Sequence, residues 1–391
     1  MRTVLRRAGL GALAILLAAG AAATWKREEI ARLLAVNSLF APDKIVANFS
    51  HMDRAFLSVP LPGGDRVTPL PAGPAVALPD VAARWVTDRA VTGLVVLDRG
   101  RITHESYHLG TGPDDLRISW SVAKSFLSLL TGILVEDGAL TLADPVVRHV
   151  PGLAGSAYDG ATVEDVLQME SGVAFDEDYL DPDSDINRMG RELALGGTLD
   201  GFTAALSRRD RTPGSAMRYV SMDTHVLGMV LRGATGRDIP DLLAEHLTRP
   251  MGLESAAYYV TDGAGTAFVL GGLNMVTRDY ARMGLLVAQD GRLGNRQIVP
   301  SDWIARATAP SARTAPGATG YGYQWWIPAD ARPGEVMARG VYGQYVYIDR
   351  VRDVVVAVNA ADRGFRDPGA WTATLAALRA ISDAQGTGGT G

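Results

Sequence analysis

Strand patterning appears at two places far apart in this chain, and that separation constrains the fold more than any other feature. Apolar and β-branched residues run over 91–97, Asp98-Arg99-Gly100 supplies a turn, and 102–107 completes a β-hairpin signal. Strands are expected again at 321–327, 341–348 and 354–359, followed by a closing helix over 369–382. The residues between read as helix and loop to about Gln289, broken by Gly and Pro at short intervals. One sheet must then be assembled from distant segments, with a mostly helical lobe inserted between them. The cleft between sheet and lobe is the natural pocket.

The helix most suited to that cleft begins at Ser121-Val122-Ala123-Lys124. Val122, Phe126, Leu129, Leu130, Ile133 and Leu134 recur at helical spacing, and Gly138 supplies a stop. A Ser and a Lys three apart share one face of a helix and lie within reach of each other. The positive field of the helix N-terminus and burial both favour the neutral amine. A neutral amine can take the hydroxyl proton, which makes Ser121 a candidate nucleophile. The plain alternative is a Ser cap followed by a snorkelling Lys. Lysine usage argues against it: only Lys26, Lys44 and Lys124 occur among 38 basic residues. A chain that uses Arg almost everywhere yet keeps Lys inside an apolar helix points to a group that can lose its proton, which Arg cannot; the tetrad alone leaves both readings open until a second motif joins it.

With 47% hydrophobic and 21% charged residues the chain can bury a large core. A net charge of −5 leaves no footprint for nucleic acid. The absence of Cys excludes disulfides, thiolate metal sites and a cysteine nucleophile. Arg2, Arg6 and Arg7 precede an uncharged run over 8–23, so 1–25 is expected to be a signal peptide or an N-terminal membrane anchor, with the rest exported and periplasmic. Residues 26–83 read as an N-terminal arm, with a short amphipathic helix over 25–40, and a Pro-rich connector. The body spans 84–385, and 386–391 is expected to be a disordered tail.

A second element lies at Pro213-Gly214 through Asp223, just before a helical run over 224–234. Tyr219 falls on the turn there, and near a cation its phenol is expected at a lowered pKa, able to shuttle protons. Alone it is more often a core or cap residue, and Ser221 and Asp223 have equally plain readings as capping residues. Taken together, Ser121-x-x-Lys124 and Tyr219-x-Ser221 resemble the serine β-lactamase and penicillin-binding-protein superfamily, in its class C β-lactamase-like branch. Residues 175–182, Gly271-Gly272, 277–282, Gln324-Trp325-Trp326 and Gly343-Gln344 are similar to the 6-aminohexanoate-dimer (nylon-oligomer) hydrolases and related esterases. The resemblance implies an α+β, β-lactamase/transpeptidase-like fold with an antiparallel sheet flanked by helices. It also implies a serine hydrolase that acts on small-molecule esters or amides and needs neither metal nor cofactor.

In that resemblance Ser121 attacks the carbonyl, Lys124 and Tyr219 share its proton, and the backbone N–H groups of Ser121 and Val341 hold the oxyanion. Val341 follows Ala338-Arg339-Gly340 on what is expected to be an edge strand. Tyr179 matches a tyrosine over the cleft. There are two departures. Ala338-Arg339-Gly340 replaces the usual K-T-G or H-T-G, although Arg339 keeps a positive charge nearby, and Ser221 replaces an asparagine while remaining able to bond Lys124. β-Lactamase or D,D-carboxypeptidase activity, or an acylated sensor without turnover, are the competing readings. No serine sits in a G-x-S-x-G elbow, no histidine pair has H-E-x-x-H spacing, and His225 reads as a helix-surface residue.

Overall fold

Alternation over 91–107 produces the hairpin it predicts: β1 (Val91–Asp98) and β2 (Arg101–Tyr107) are antiparallel and turn on Arg99 and Gly100, with φ of 47° and 73°. Two positive φ values in a two-residue loop match the right-handed twist of the flanking strands. The computed structural model describes residues 27–179 and 181–386. The leader or anchor expected over 1–25 and the tail, Gly386 apart, lie outside the described residues.

Five later strands join the hairpin: β3 (Gly320–Gly322), β4 (Trp325–Ile327), β5 (Glu335–Gly340), β6 (Gln344–Asp349) and β7 (Val354–Ala360). The sheet order is β2-β1-β7-β6-β5-β4-β3, antiparallel throughout, so the N-terminal hairpin pairs with the last strand of the chain. β1 and β7 are apolar and buried on both faces. Leu94, Val96, Val356 and Val358 face α2 (Asp80–Asp88) and α7 (Ala370–Ala384). Val95, Leu97, Val355 and Ala357 face the opposite core, against α6 (Thr277–Ala288). The other main helices are α1 (Arg27–Asn37), α3 (Ala123–Glu136), α4 (Asp185–Ala194) and α5 (Ser221–Thr235). This is the expected α+β class, with an antiparallel sheet, helices on both faces and the lobe between β2 and β3.

Three expectations need correction. The strand expected at 321–327 is two strands, split where Tyr323 and Gln324 take φ of 39° and 72°. Residues 341–343 form a turn, with Tyr342 at φ 58°, and the strand over 335–340 precedes it. The middle region also holds a second sheet, in which Leu57–Leu61, Ala257–Thr261, Leu273–Met275 and Arg117–Ile118 pair in that order. Strands of two to five residues are too short for alternation to reveal them.

The arm ahead of the body is part of the core. Leu39, Ile45, Phe49, Met52 and Phe56 are buried in the same cluster as Phe126 and Leu130 of α3. Among the described residues no helix is long and apolar enough to cross a membrane.

Candidate active site

α3 is buried nearly all round, its Ser125 and Thr131 hydroxyls satisfied by the Gln324 and Leu127 carbonyls. Its Gly132 lets Trp303 pack against the backbone: a Cβ there would lie 2.3 Å from the indole. One 3-10 turn, Trp120–Val122, precedes the helix and presents Ser121. Trp120 takes φ 41°, a left-handed conformation that a bulky residue adopts only when its surroundings enforce it.

Lys124 is 1% exposed. Its Nζ donates to the Leu270 carbonyl at 2.6 Å and to Ser121 Oγ at 3.3 Å. Burial penalises the ammonium and brings the amine down to about 7, opposed by the Glu177 carboxylate nearby. The expectation of a lysine able to be neutral therefore agrees with the geometry.

Tyr219 stacks on Trp326 with ring centroids 5.3 Å apart, and Lys124 Nζ lies 5.5 Å from its ring centre. Its phenol interacts with the Ser121 hydroxyl, so the three residues do meet. The expected lowering of the phenol is reversed: burial, then Glu177, push it up, and Ser121, Ser221 and Arg339 only partly offset this. At neutral pH Tyr219 carries its proton.

Ser221 donates its backbone N–H to Glu177 Oε1. Its buried hydroxyl, expected to be able to bond Lys124, lies near the phenols of Tyr179 and Tyr219 yet has no partner in hydrogen-bond geometry. Asp223 accepts from Ser171 Oγ at 2.7 Å and Tyr158 Oη at 3.0 Å, with its second oxygen unpartnered. Burial pushes this carboxyl up to about 8, so it ties the start of α5 to the neighbouring loop as a largely neutral acid. His225 is not on the surface: it is 1% exposed, with Nε2 2.8 Å from Asp200 Oδ1.

The end of β5 reaches Ser121. A Cβ on Gly340 would lie 2.7 Å from the Ser119 carbonyl and 3.1 Å from the Ser121 amide nitrogen, so only glycine allows this approach. β5 is an interior strand, not the expected edge, with β6 on one side and β4 on the other. β4 pairs with it only at Trp326↔Met337, so its last residues run on past that neighbour and are open toward Ser121. Val341 follows and lines a cavity of about 420 Å³ together with Ser121, Ser221 and Tyr179. Arg339 points away from it, stacked 3.8 Å over the ring centre of Trp371 and 5.2 Å from that of Trp326. Neither Trp325 nor Trp326 is on the cavity wall.

Sequence shows Glu177 only as one residue of an acidic loop suited to a cationic amine in the substrate, to plain solvation or to a Ca²⁺ ion; its place against Lys124, Ser221 and Tyr179 is not legible there. Tyr179 Oη donates to it at 3.0 Å, and burial raises its carboxyl while Lys124 and Ser221 lower it. It is hidden in sequence among Asp176, Asp178, Asp181, Asp183 and Asp185. Of these, Asp176, Asp181 and Asp185 accept backbone N–H groups within their own loop. The only hint in sequence is the Tyr two residues on.

A family model described as Beta-lactamase matches residues 52–379, which takes in much of the arm as well as the body. The chain is 30% identical over 297 residues to the 6-aminohexanoate-dimer hydrolase of Paenarthrobacter ureafaciens, covering 72% of this chain and 75% of that protein. Among solved structures it is similar to a Bacillus anthracis protein assigned provisionally as a 6-aminohexanoate-dimer hydrolase. That match has a TM-score of 0.75 at 21% identity and covers 88% of this chain and 95% of the other. It is also similar to EstCE1, a hydrolase with promiscuous acyltransferase activity, with a TM-score of 0.63 at 18% identity, over 78% of this chain and 96% of that one.

Proposed function

This chain belongs to the Beta-lactamase family, and from that premise we propose that it is a serine hydrolase cleaving ester or amide bonds of small molecules through an acyl-enzyme on Ser121. The observation that carries the reading is a buried amine at about 7 placed 3.3 Å from a hydroxyl on a cavity wall. Lys124 Nζ takes the Ser121 proton as Oγ bonds to the substrate carbonyl carbon. The oxyanion is held by the N–H groups of Ser121 and Val341, a type of donor each worth about 10²–10³ in rate. Tyr219, which keeps its proton at neutral pH, gives it to the departing alcohol or amine and recovers one from Lys124. Water then attacks the acyl carbon, loses a proton to the same pair, and releases the acid and Ser121. Between the two partners left open by sequence, the raised phenol favours Lys124 as base and Tyr219 as donor.

Hydrolysis of p-nitrophenyl acetate tests this. Ser121→Ala should abolish turnover and Lys124→Ala should lower it by about 10²–10⁴, with the acyl group found on the Ser121 peptide by mass spectrometry of quenched wild type. Turnover retained in Ser121→Ala would remove the proposed nucleophile.

A further inference from the structure

The cavity beside Ser121 is lined mainly by apolar side chains. Phe40, Met52 and Phe56 of the arm line it together with Met189 of α4, Val260 and Phe268. Arg191 is the only charged side chain on the wall among the described residues, and its guanidinium is held by the Pro182 carbonyl. Asn187 is likewise occupied, donating to the carbonyls of Tyr179 and Asp181. The polar side-chain groups on the wall besides these are few: the Ser121 and unpartnered Ser221 hydroxyls, the unpartnered Trp120 indole N–H, the Tyr342 phenol, and the Tyr179 phenol, which is bonded to Glu177. Its volume of about 420 Å³ is that of a small-molecule site.

Direction follows from which residues are on the wall. Ser121 and Val341 are, whereas Lys124 and Tyr219 are not. A leaving group must depart toward the proton donor, so the part of the substrate that enters the cavity is the acyl part. An ammonium at the chain end would meet no carboxylate among the described residues of this wall and Arg191 as its one charged side chain, at high cost.

We infer that this cavity is an acyl pocket for an uncharged, apolar chain, which makes the substrate class esters or amides of medium-length apolar carboxylic acids, with the arm supplying part of the wall. This rests on the serine-hydrolase reading, and it separates this chain from a hydrolase that places an aminoalkanoyl group beside its nucleophile.

The test uses p-nitrophenyl esters, which vary the acid and keep the leaving group. From acetate to octanoate kcat/KM should rise about fourfold per methylene, the factor that about 0.8 kcal/mol per buried CH₂ gives. Acetate esters of lengthening alcohols should show no such rise. The hexanoate ester should exceed the 6-aminohexanoate ester, which differs only by a terminal ammonium, by about tenfold or more. Gly190, on α4 at the wall, has nothing within 4 Å of where a Cβ would stand. Gly190→Trp, with Gly190→Leu as the milder version, should lower the octanoate-to-acetate ratio at least tenfold while the melting temperature shows that each folds. Binding is read separately by calorimetry of decanoate on Ser121→Ala, where decanoate should bind and acetate should not. A flat acyl series, a dependence on the alcohol instead, preference for the aminohexanoate or no decanoate binding overturns the pocket. Turnover by Ser121→Ala with decanoate still bound overturns the nucleophile and leaves the pocket standing.

Discussion

Burial brings the Lys124 amine to about 7, and the activity should follow it. A lysine that must be neutral to accept the Ser121 proton gains the active form as pH rises, so kcat/KM should have an acid limb centred near pH 7. Glu177 is the group that opposes this lowering. Its negative charge favours the ammonium, so Glu177→Gln should move the acid limb to lower pH, an effect that simple loss of packing would not produce. A pH–rate profile of both proteins checks it, and an unmoved limb would mean that Glu177 holds only the loop. Residue by residue, the sequence was informative where scarcity or spacing singled a side chain out. Lys124 stood out because lysine is rare here, and Tyr219 because the turn before α5 is marked by Pro213-Gly214. Glu177 and His225 did not, because the partners that define them, Lys124 and Asp200, lie far away in sequence.

At the scale of elements, the contact between the end of β5 and the turn before α3 is what the site depends on. Gly340→Ala adds a methyl 2.7 Å from the Ser119 carbonyl, and neither backbone can yield without moving the Ser121 and Val341 amides. We expect kcat to fall about tenfold to a hundredfold, toward the loss of one oxyanion donor, with a lowered melting temperature from the forced backbone shift. Steady-state kinetics beside a thermal melt decide it, and unaltered kcat would show that these amides are not the donors. Several stretches that carried the family resemblance prove to be braces for such contacts. Gln324 accepts from Thr224 and donates to the Leu167 carbonyl. Gln344 joins β6 to β7 through Asn359 and the Ala360 carbonyl. Arg278 ties α6 to Glu105 of β2. Long elements with a full period, such as α3 and the hairpin, were legible in sequence. β5 was not, because Ala338-Arg339-Gly340 ends it in residues without strand preference.

Across the whole molecule the sheet closes by pairing β1 with β7, so most of the chain must be in place before the cleft exists. The arm completes it: Phe40 stacks on Tyr342 with centroids 4.8 Å apart and planes within 12°, and Phe49, Trp120 and Phe365 gather around the same tyrosine. Phe40→Ala should loosen this closure locally. Amide hydrogen exchange should rise over 31–56 and stay unchanged in β1 and β7, and the aromatic pair should cost about 0.5–1.5 kcal/mol beyond lost area. Uniform exchange across the protein would show that the arm is not a separate unit. The arm's place in the cavity wall was beyond the sequence, which shows amphipathic residues but not the partner they cover. One practical consequence concerns attachment. A resin or carrier coupled after α7, whose helix packs on the opposite face of the sheet from the core that holds the cavity, would leave that side of the molecule clear.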